Sequence, residues 1–115
     1  MHAKQYSRQQ EKRNRIGNRT LVIGMDIGSD FNAACFMDKG GNVLGRYPAI
    51  YNSRKGFDYF QTVVMKTSRK YKFDDILIGM EPTSHYWRKI AFFAKERGYE
   101  VRFVRTTAVK HRKGA

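Results

Sequence analysis

The sequence is poor in several features, and each shortage excludes a class of protein. It has one cysteine, Cys35, so an internal disulfide bond is excluded and a reducing cytoplasm is indicated. No apolar run approaches the length of a membrane span, and no apolar signal-peptide core follows the charged N-terminus. We therefore expect no membrane partner. Cys35 lies in an apolar run, which predicts a small core residue rather than a nucleophile.

Acidic residues are also scarce, with 10 Asp and Glu against 23 Lys and Arg, and the net charge is +13. The excess positive charge lies in three segments, 1–19, 53–73 and 106–115, and the rest of the chain is neutral on balance. Such clustering predicts a polyanionic partner, most often nucleic acid, and a location near the nucleoid in the cytoplasm. A solvated basic face without such a partner is the alternative interpretation.

What the sequence does contain is enough for one folded domain. Its 115 residues are 41% hydrophobic and 14% aromatic, which excludes a disordered composition. Residues 1–19 are nearly free of apolar side chains and predict a basic flexible arm. We expect the domain over 20–105 and a basic tail over 106–115.

The periodicity of apolar residues predicts five strands and two helices within that domain. A tight turn at 39–42, with two glycines, joins the second and third strands. Ser53 is placed to cap the first helix, and Gly98 ends the second. The predicted strands cover 20–27, 31–38, 43–52, 74–81 and 99–105, and the helices cover 53–73 and 82–98.

The resulting order, βββαβαβ, is typical of an α/β protein with a mixed five-stranded, ribonuclease-H-like sheet and flanking helices. Three strands joined by tight turns form an antiparallel meander, and each later strand follows a helix by a right-handed crossover. In this arrangement the first and fourth strands are parallel neighbours, so their carboxyl ends meet at one edge of the sheet.

Two similar stretches, "VIGMD" and "LIGME", end those two strands on a carboxylate each, Asp26 and Glu81. Two carboxylates at one edge repel each other unless a cation lies between them. Mg²⁺ or Mn²⁺ prefers such oxygen ligands and recruits phosphates. The pattern therefore predicts a divalent metal site for Asp26 and Glu81. Two idle, solvent-exposed acids at strand ends are the alternative.

These residues, with "GMEPTSHYW" (79–87) as the most specific motif, resemble the N-terminal domain of the DEDD-type transposases of bacterial insertion sequences, the group numbered one hundred and ten. The resemblance covers roughly 20–111, and it implies a RuvC-like fold. It also implies a metal-dependent transposase or recombinase that cuts and rejoins DNA with four acids. Asp26 and Glu81 match the first two of these acids.

The same resemblance implies further partners and a missing half of the site. The partners are DNA, a guide RNA encoded by the element and, at full length, a second copy of the protein. In the family an Asp pair follows the stretch that resembles "VKHRK", where this chain ends. We therefore expect a fragment of a catalytic domain that is inactive alone.

Other polar side chains are candidates for contact with nucleic acid. His85 follows Glu81 by one turn and is a candidate for phosphate contact, with packing at the helix start as the alternative. Thr83 and Ser84 are candidates for helix capping or for phosphate contact. The candidate phosphate-binding cations are Arg54, Lys55, Lys66, Arg69, Lys70, Lys72, Lys110, Arg112 and Lys113.

Two other functions stay open on the sequence alone. A noncatalytic basic module would bind nucleic acid without using Asp26 and Glu81. An actin-like or sugar-kinase domain would use "MDIGSD" (25–30) as a phosphate-binding turn in an ATP site. That second function also requires a glycine-rich second phosphate loop, which the sequence does not show.

Overall fold

A computed structural model describes residues 19–45, 47–82 and 85–104. Over these ranges the order of elements is βββαβαβ, as predicted. The strands are β1 (Thr20–Asp26), β2 (Phe31–Met37), β3 (Ala49–Tyr51), β4 (Asp75–Met80) and β5 (Glu100–Phe103), and the helices are α1 (Arg54–Tyr71) and α2 (Trp87–Glu96). No helix in these ranges is long and apolar enough to cross a membrane. The predicted arm, apart from Arg19, and the predicted tail lie outside the described residues.

The strands form one mixed sheet in the order β3-β2-β1-β4-β5. Strand β1 is antiparallel to β2 and parallel to β4, and β5 continues the sheet in parallel beyond β4. This order confirms the predicted ribonuclease-H-like, RuvC-like sheet with β1 at its centre. It follows from the two crossover connections, because each helix returns the chain to the end from which the parallel strands start.

The two faces of the sheet differ in what covers them. Alternate side chains of a strand lie on opposite faces of the sheet. On one face, the side chains of the strands pack against both helices. We call it the covered face. Phe36 of β2 meets Phe60 of α1 there, with ring centroids 6.3 Å apart. Its fully buried apolar side chains are Leu21, Ile23, Ala34, Phe36, Ile50, Ile78 and Met80 from the strands and Phe60, Val64, Ile90 and Ala94 from the helices.

We call the other side of the sheet the open face. Its residues on the three central strands are half-buried or exposed, except Thr20 at the start of β1, which is 1% exposed. Cys35 lies here, half-buried, so the prediction of a core position for it was wrong. The open-face residues of these strands are Thr20, Val22, Gly24, Asp26, Phe31, Ala33, Cys35, Met37, Asp75, Leu77 and Gly79.

Helix α1 begins and ends as its sequence dictates. The Oγ of Ser53 accepts a hydrogen bond from Gly56 N at 3.0 Å, which confirms the predicted cap. Lys72 ends the helix in the left-handed conformation, with φ 60°. Gly56 lies against the end of β3, where an added Cβ would approach Tyr51 O to 2.1 Å. The glycine therefore sets how closely α1 approaches the sheet.

The third strand is shorter than predicted. Only Ala49–Tyr51 forms β3, although the alternation predicts a strand over 43–52. Val43 still makes an isolated bridge with Met37, but Gly45 takes φ 82° and turns the chain out of the ladder. Pairing resumes where Pro48 O accepts a hydrogen bond from Ala34 N at 3.0 Å. A positive φ at Gly45 and the ring of Pro48 divide what reads as one strand.

The second helix begins later than predicted, at Trp87 rather than near Pro82. His85 and Tyr86 instead form a turn, in which His85 O accepts a hydrogen bond from Arg88 N at 3.2 Å. The helical spacing predicts a buried stripe of Trp87, Ile90, Ala91 and Ala94 on α2. Ile90, Ala91 and Ala94 are buried as predicted, and Trp87 is half-buried.

The helical spacing of Phe57, Phe60, Val64 and Tyr71 predicts that all four face inward on α1, and this prediction is wrong for Tyr71. Tyr71 is exposed because it is the last residue of the helix and its ring packs near Phe73, with centroids 6.1 Å apart, rather than on the sheet.

Candidate metal centre at the ends of strands β1 and β4

The two candidate metal ligands end neighbouring parallel strands. The register of β1 with β4 pairs Gly24 with Gly79 and Met25 with Met80, so Asp26 and Glu81 follow at the same edge of the sheet. Neighbouring strands lie about 4.8 Å apart, which is within the span of one cation and its ligands. The similar stretches "VIGMD" and "LIGME" therefore belong to two adjacent parallel strands that end at the same level of the sheet.

Alternation along the strands explains the repeated Gly-Met-acid pattern. Each methionine lies on the covered face, where Met25 is 5% and Met80 is 1% exposed. The residues on either side of each methionine therefore lie on the open face, with the glycine before it and the acid after it. Asp26 is exposed and Glu81 is half-buried. Both carboxylates thus belong to the side of the sheet that the helices leave uncovered.

The glycines form the floor of a trough that leads to the acids. An added Cβ at Gly79 would meet nothing within 4 Å, and one at Gly24 would meet Met37 Cε at an ordinary 3.5 Å. Packing among the described residues does not require a glycine at either position. The trough has a volume of about 460 Å³, and its lining includes Gly24, Asp26, Ala33, Cys35, Tyr47, Gly79, Glu81 and Val104.

The loop after Asp26 is held by two asparagines. Asn32 is fully buried, and its Oδ1 accepts a hydrogen bond from Gly28 N at 3.1 Å. Its Nδ2 donates to Ile50 O at 3.3 Å and to Asn52 Oδ1 at 2.9 Å. Asn52 in turn donates to the carbonyl oxygens of Gly28 and Ser29, each at 3.0 Å. This network fixes the backbone that follows the first carboxylate.

The same network bears on the phosphate-binding turn that an ATP site requires. A phosphate-binding turn offers free backbone N–H groups to its ligand. Gly28 N instead donates to Asn32 within the protein. An added Cβ at Gly28 would approach Phe31 O to 2.5 Å, so the glycine here serves a tight turn. The geometry of the loop favours a positioning role beside Asp26 over the binding of a nucleotide.

The donor set fits half of a site for a hard divalent cation. The carboxylate of Asp26 makes no hydrogen bond or ion pair with any other residue that the structure describes, so its oxygens are open to a ligand. Mg²⁺ and Mn²⁺ accept one or two protein carboxylates and complete their shells with water and phosphate oxygens. Within 19–45, 47–82 and 85–104, no group of three or more His, Cys, Asp or Glu forms a metal-binding cluster. Two carboxylates are what these ranges supply.

Two trough residues were missed by sequence reasoning. Tyr47 is 62% exposed at the mouth of the trough, and a side-chain hydrogen bond with Cys35 raises the pKa of its hydroxyl. Nothing in the local pattern marks this pair, since Tyr47 lies in the irregular segment between Val43 and β3. Phe31 and Tyr51 form a further exposed pair of rings on the open face, with centroids 5.7 Å apart.

The candidate phosphate-binding cations divide into separate groups. Arg54 begins α1 next to Asn52, so it lies at the same edge of the sheet as Asp26. Helix α1 has 18 residues and is therefore about 27 Å long. Its far end lies near Asp74, whose N–H donates to Arg19 O at the start of β1. Lys66, Arg69, Lys70 and Lys72 are consequently distant from both acids.

The remaining candidates lie close to α2 or beyond the described residues. His85 is exposed, and its ring lies 4.3 Å from that of Tyr86, centroid to centroid. It is not part of the trough lining. Thr83, Ser84, Lys110, Arg112 and Lys113 lie outside the described residues, so their predicted roles stay predictions.

The chain is similar to one family of known proteins over most of its length. The family model DEDD_Tnp_IS110, described as a transposase, matches residues 23–115. No curated protein sequence matches the chain. Among solved structures, T. thermophilus RuvC in complex with a Holliday junction substrate is 12% identical, with a TM-score of 0.43. The match covers 74% of this chain and 64% of that one.

Proposed function

The chain belongs to the IS110-type DEDD transposase family, and from this premise we propose that Asp26 and Glu81 bind a divalent cation that serves the cutting and rejoining of DNA. One observation carries the proposal: both carboxylates end neighbouring parallel strands on the uncovered face of the sheet. Family members would complete this pair with two further acids. The cation class is Mg²⁺ or Mn²⁺, because the ligands are hard oxygens.

Six residues of the trough and of the loop beside it have a task in this proposal. Asp26 and Glu81 would hold the cation, and the two glycines leave room for a nucleic acid backbone to approach them. Asn32 and Asn52 orient the loop after Asp26 and are positioning residues. A bound divalent cation would supply charge stabilisation for the oxygens of a phosphodiester. The partners we propose are DNA, a guide RNA of the element and a second copy of the full-length protein.

The test is to map where Mn²⁺ binds on the 115-residue chain, by the paramagnetic broadening of its backbone amide signals. We expect broadening to be concentrated at 24–28 and 79–82. Asp26→Asn and Glu81→Gln should each weaken it about tenfold or more, because each removes one charged ligand. Asp58→Asn and Glu96→Gln are matched controls at exposed acids on the two helices, and they should leave the broadening unchanged.

Two results would contradict the proposal. Broadening that survives in both Asp26→Asn and Glu81→Gln would place the cation elsewhere. Broadening centred on Asp74 and Asp75, at the opposite edge of the sheet, would do the same. Either result would favour the alternative of a noncatalytic nucleic-acid-binding module.

A further inference from the structure

A row of basic and hydroxyl side chains follows the outer side of helix α1. The spacing of three and four residues places them on one side of the helix, away from Phe60 and Val64, which pack on the sheet. All of them are exposed. We call this row the α1 ridge, and it consists of Lys55, Tyr59, Thr62, Lys66, Arg69 and Lys70.

The charges of the α1 ridge are not balanced within the described part of the chain. Neither the ion pair of Arg19 with Asp74 nor that of Arg102 with Glu100 involves the ridge. One acid, Asp58, lies on the exposed side of α1, and it makes no ion pair with Lys55. The cations of the ridge therefore repel one another without compensation from a neighbouring carboxylate.

Helix stability explains Arg69 and Lys70, which lie in the last turn of α1, where the negative end of the helix dipole favours cations, but it does not explain the other end of the row. The first turn of α1 contains no acid but does contain Arg54 and Lys55, where the positive end of the helix dipole disfavours cations. A helix selected for its own stability would carry acids at that end. A charge pattern that costs stability is better explained by a ligand, and the sign of the charge selects an anionic one.

The ridge and the carboxylate pair lie on different sides of the molecule. Helix α1 covers one face of the sheet, whereas Asp26 and Glu81 belong to the open face. A layer of sheet and a layer of helix therefore separate the two surfaces. From Lys55 to Lys70 the ridge is about 22 Å long, which matches about six successive phosphates at 3.4 Å per nucleotide.

We propose that the α1 ridge is a second nucleic-acid-binding surface, which holds the sugar–phosphate backbone of a segment other than the one that reaches Asp26 and Glu81. Lys55, Lys66, Arg69 and Lys70 pair with phosphates, and the hydroxyl group of Tyr59 donates to a phosphate oxygen between them. The Thr62 hydroxyl instead donates to Asp58 O at 3.1 Å within the helix. This proposal rests on the proposed function for its class of ligand. It needs no metal, because all of the contacts come from side chains of the helix.

The experiment measures binding of the 115-residue chain to short blunt duplexes of DNA and of RNA, by fluorescence anisotropy over a series of salt concentrations. EDTA is present throughout and removes divalent cations, so metal bound at Asp26 and Glu81 does not contribute to the measured binding. The ridge variant is K66Q/R69Q/K70Q. The matched control, K89Q/K95Q/R97Q, removes the same three charges from exposed positions on and just after α2.

We expect the ridge variant to bind about tenfold more weakly and the control to stay within about threefold of the parent chain. The slope of log affinity against log salt should fall in magnitude by about 2.7 for the ridge variant on DNA, at about 0.9 per lost phosphate contact. The duplex that shows the larger loss identifies whether DNA or RNA occupies the ridge. A far-ultraviolet circular dichroism spectrum matching the parent chain confirms that the variant is folded.

Equal losses in the ridge variant and the control would overturn the proposal, because net charge alone would then explain binding. An unchanged slope in the ridge variant would also overturn it. If Mn²⁺ does not bind at Asp26 and Glu81 but the α1 ridge still binds nucleic acid, the proposed function is rejected and the proposal of a second nucleic-acid-binding surface is retained.

Discussion

The two faces of the sheet are built from the same strands but differ in how their residues are covered and in the side chains at the ends of β1 and β4. On the covered face, large apolar side chains such as Phe36, Ile23 and Met80 are at most 1% exposed. On the open face, the same strands carry Gly24, Gly79 and two acids. The covered face shows what this chain needs to fold, whereas the open face carries residues that add little to folding.

Two glycines show this difference most directly, namely Gly56, where α1 contacts the sheet, and Gly79, on the open face. At Gly56, where α1 packs against the end of β3, an added Cβ would lie only 2.1 Å from Tyr51 O. Gly79 has open space above it. A glycine required by packing and a glycine that leaves space for a ligand look identical in a sequence, and substitution separates them.

The largest effect is expected for Gly56→Ala. The new methyl group collides with a backbone oxygen, so the start of α1 must move, at a cost of about 2–3 kcal/mol in the free energy of unfolding. Gly79→Ala should change stability by about 0.5 kcal/mol or less, and in the stabilising direction, because alanine loses less entropy in a strand. Urea denaturation of both variants measures the difference. Similar losses in the two variants would show that the open face is packed as tightly as the covered one.

Much of the fold could be predicted from the sequence because its signals are local. The cap at Ser53, the glycine turn at 39–42 and the apolar run of β1 each act within a few residues. The break of β3 was not predicted, because it depends on the positive φ that Gly45 adopts. Glycine adopts a negative φ just as readily, so the residue type alone does not indicate a break.

The site was only partly predictable for the opposite reason. The strand order alone places Asp26 beside Glu81. The contacts of Asn32 join residues 18 and 20 positions apart, and Tyr47 meets Cys35 across an irregular segment. Such contacts depend on the packed tertiary structure, and no local pattern marks them. The sequence also does not show which face of the sheet α1 covers. Because α1 lies on the covered face, its cations are separated from the two acids, although in the sequence these cations form one basic cluster.

Asn32 tests whether the two faces are coupled. It is buried on the covered face, yet its hydrogen bonds hold the loop that follows Asp26. Asn32→Leu keeps the approximate volume and leaves Gly28 N, Ile50 O and Asn52 without their partner, so we expect a loss of about 3 kcal/mol. The broadening of the Asp26 loop by Mn²⁺ should also weaken.

The matched substitution for that experiment is Asn42→Leu, in the exposed turn between β2 and Val43. It removes a hydrogen bond that water can replace, so a loss below about 1 kcal/mol is expected. Chemical denaturation gives the stabilities, and the Mn²⁺ experiment gives the coupling. If Asn32→Leu destabilises the protein but leaves the broadening pattern intact, the asparagine supports folding alone and the faces are independent.

The smallest effect is expected at Asp38, an acid whose surroundings contrast with those of Asp26. Its Oδ1 accepts hydrogen bonds from Gly40 N and Asn42 N, each at 2.9 Å, and its Oδ2 accepts one from Asn42 Nδ2 at 3.0 Å. The side-chain bond from Asn42, followed by the backbone bonds, lowers the pKa of Asp38 below its ordinary value of 3.8. A carboxylate whose oxygens are used by its own turn has little capacity left for a cation.

The sign of the pH effect follows from that shift. Because the pKa of Asp38 is lower in the folded chain, its contribution to stability is present above pH 3.8 and is lost as the pH falls through the lowered value. Titration of the carboxyl carbon by NMR should therefore give a pKa below 3.8 for Asp38, and Asn42→Ala should return it towards 3.8. Mn²⁺ should leave the Asp38 signal sharp while it broadens that of Asp26. Equal broadening of the two acids would mean that exposure, and not the juxtaposition of β1 with β4, determines where the cation binds.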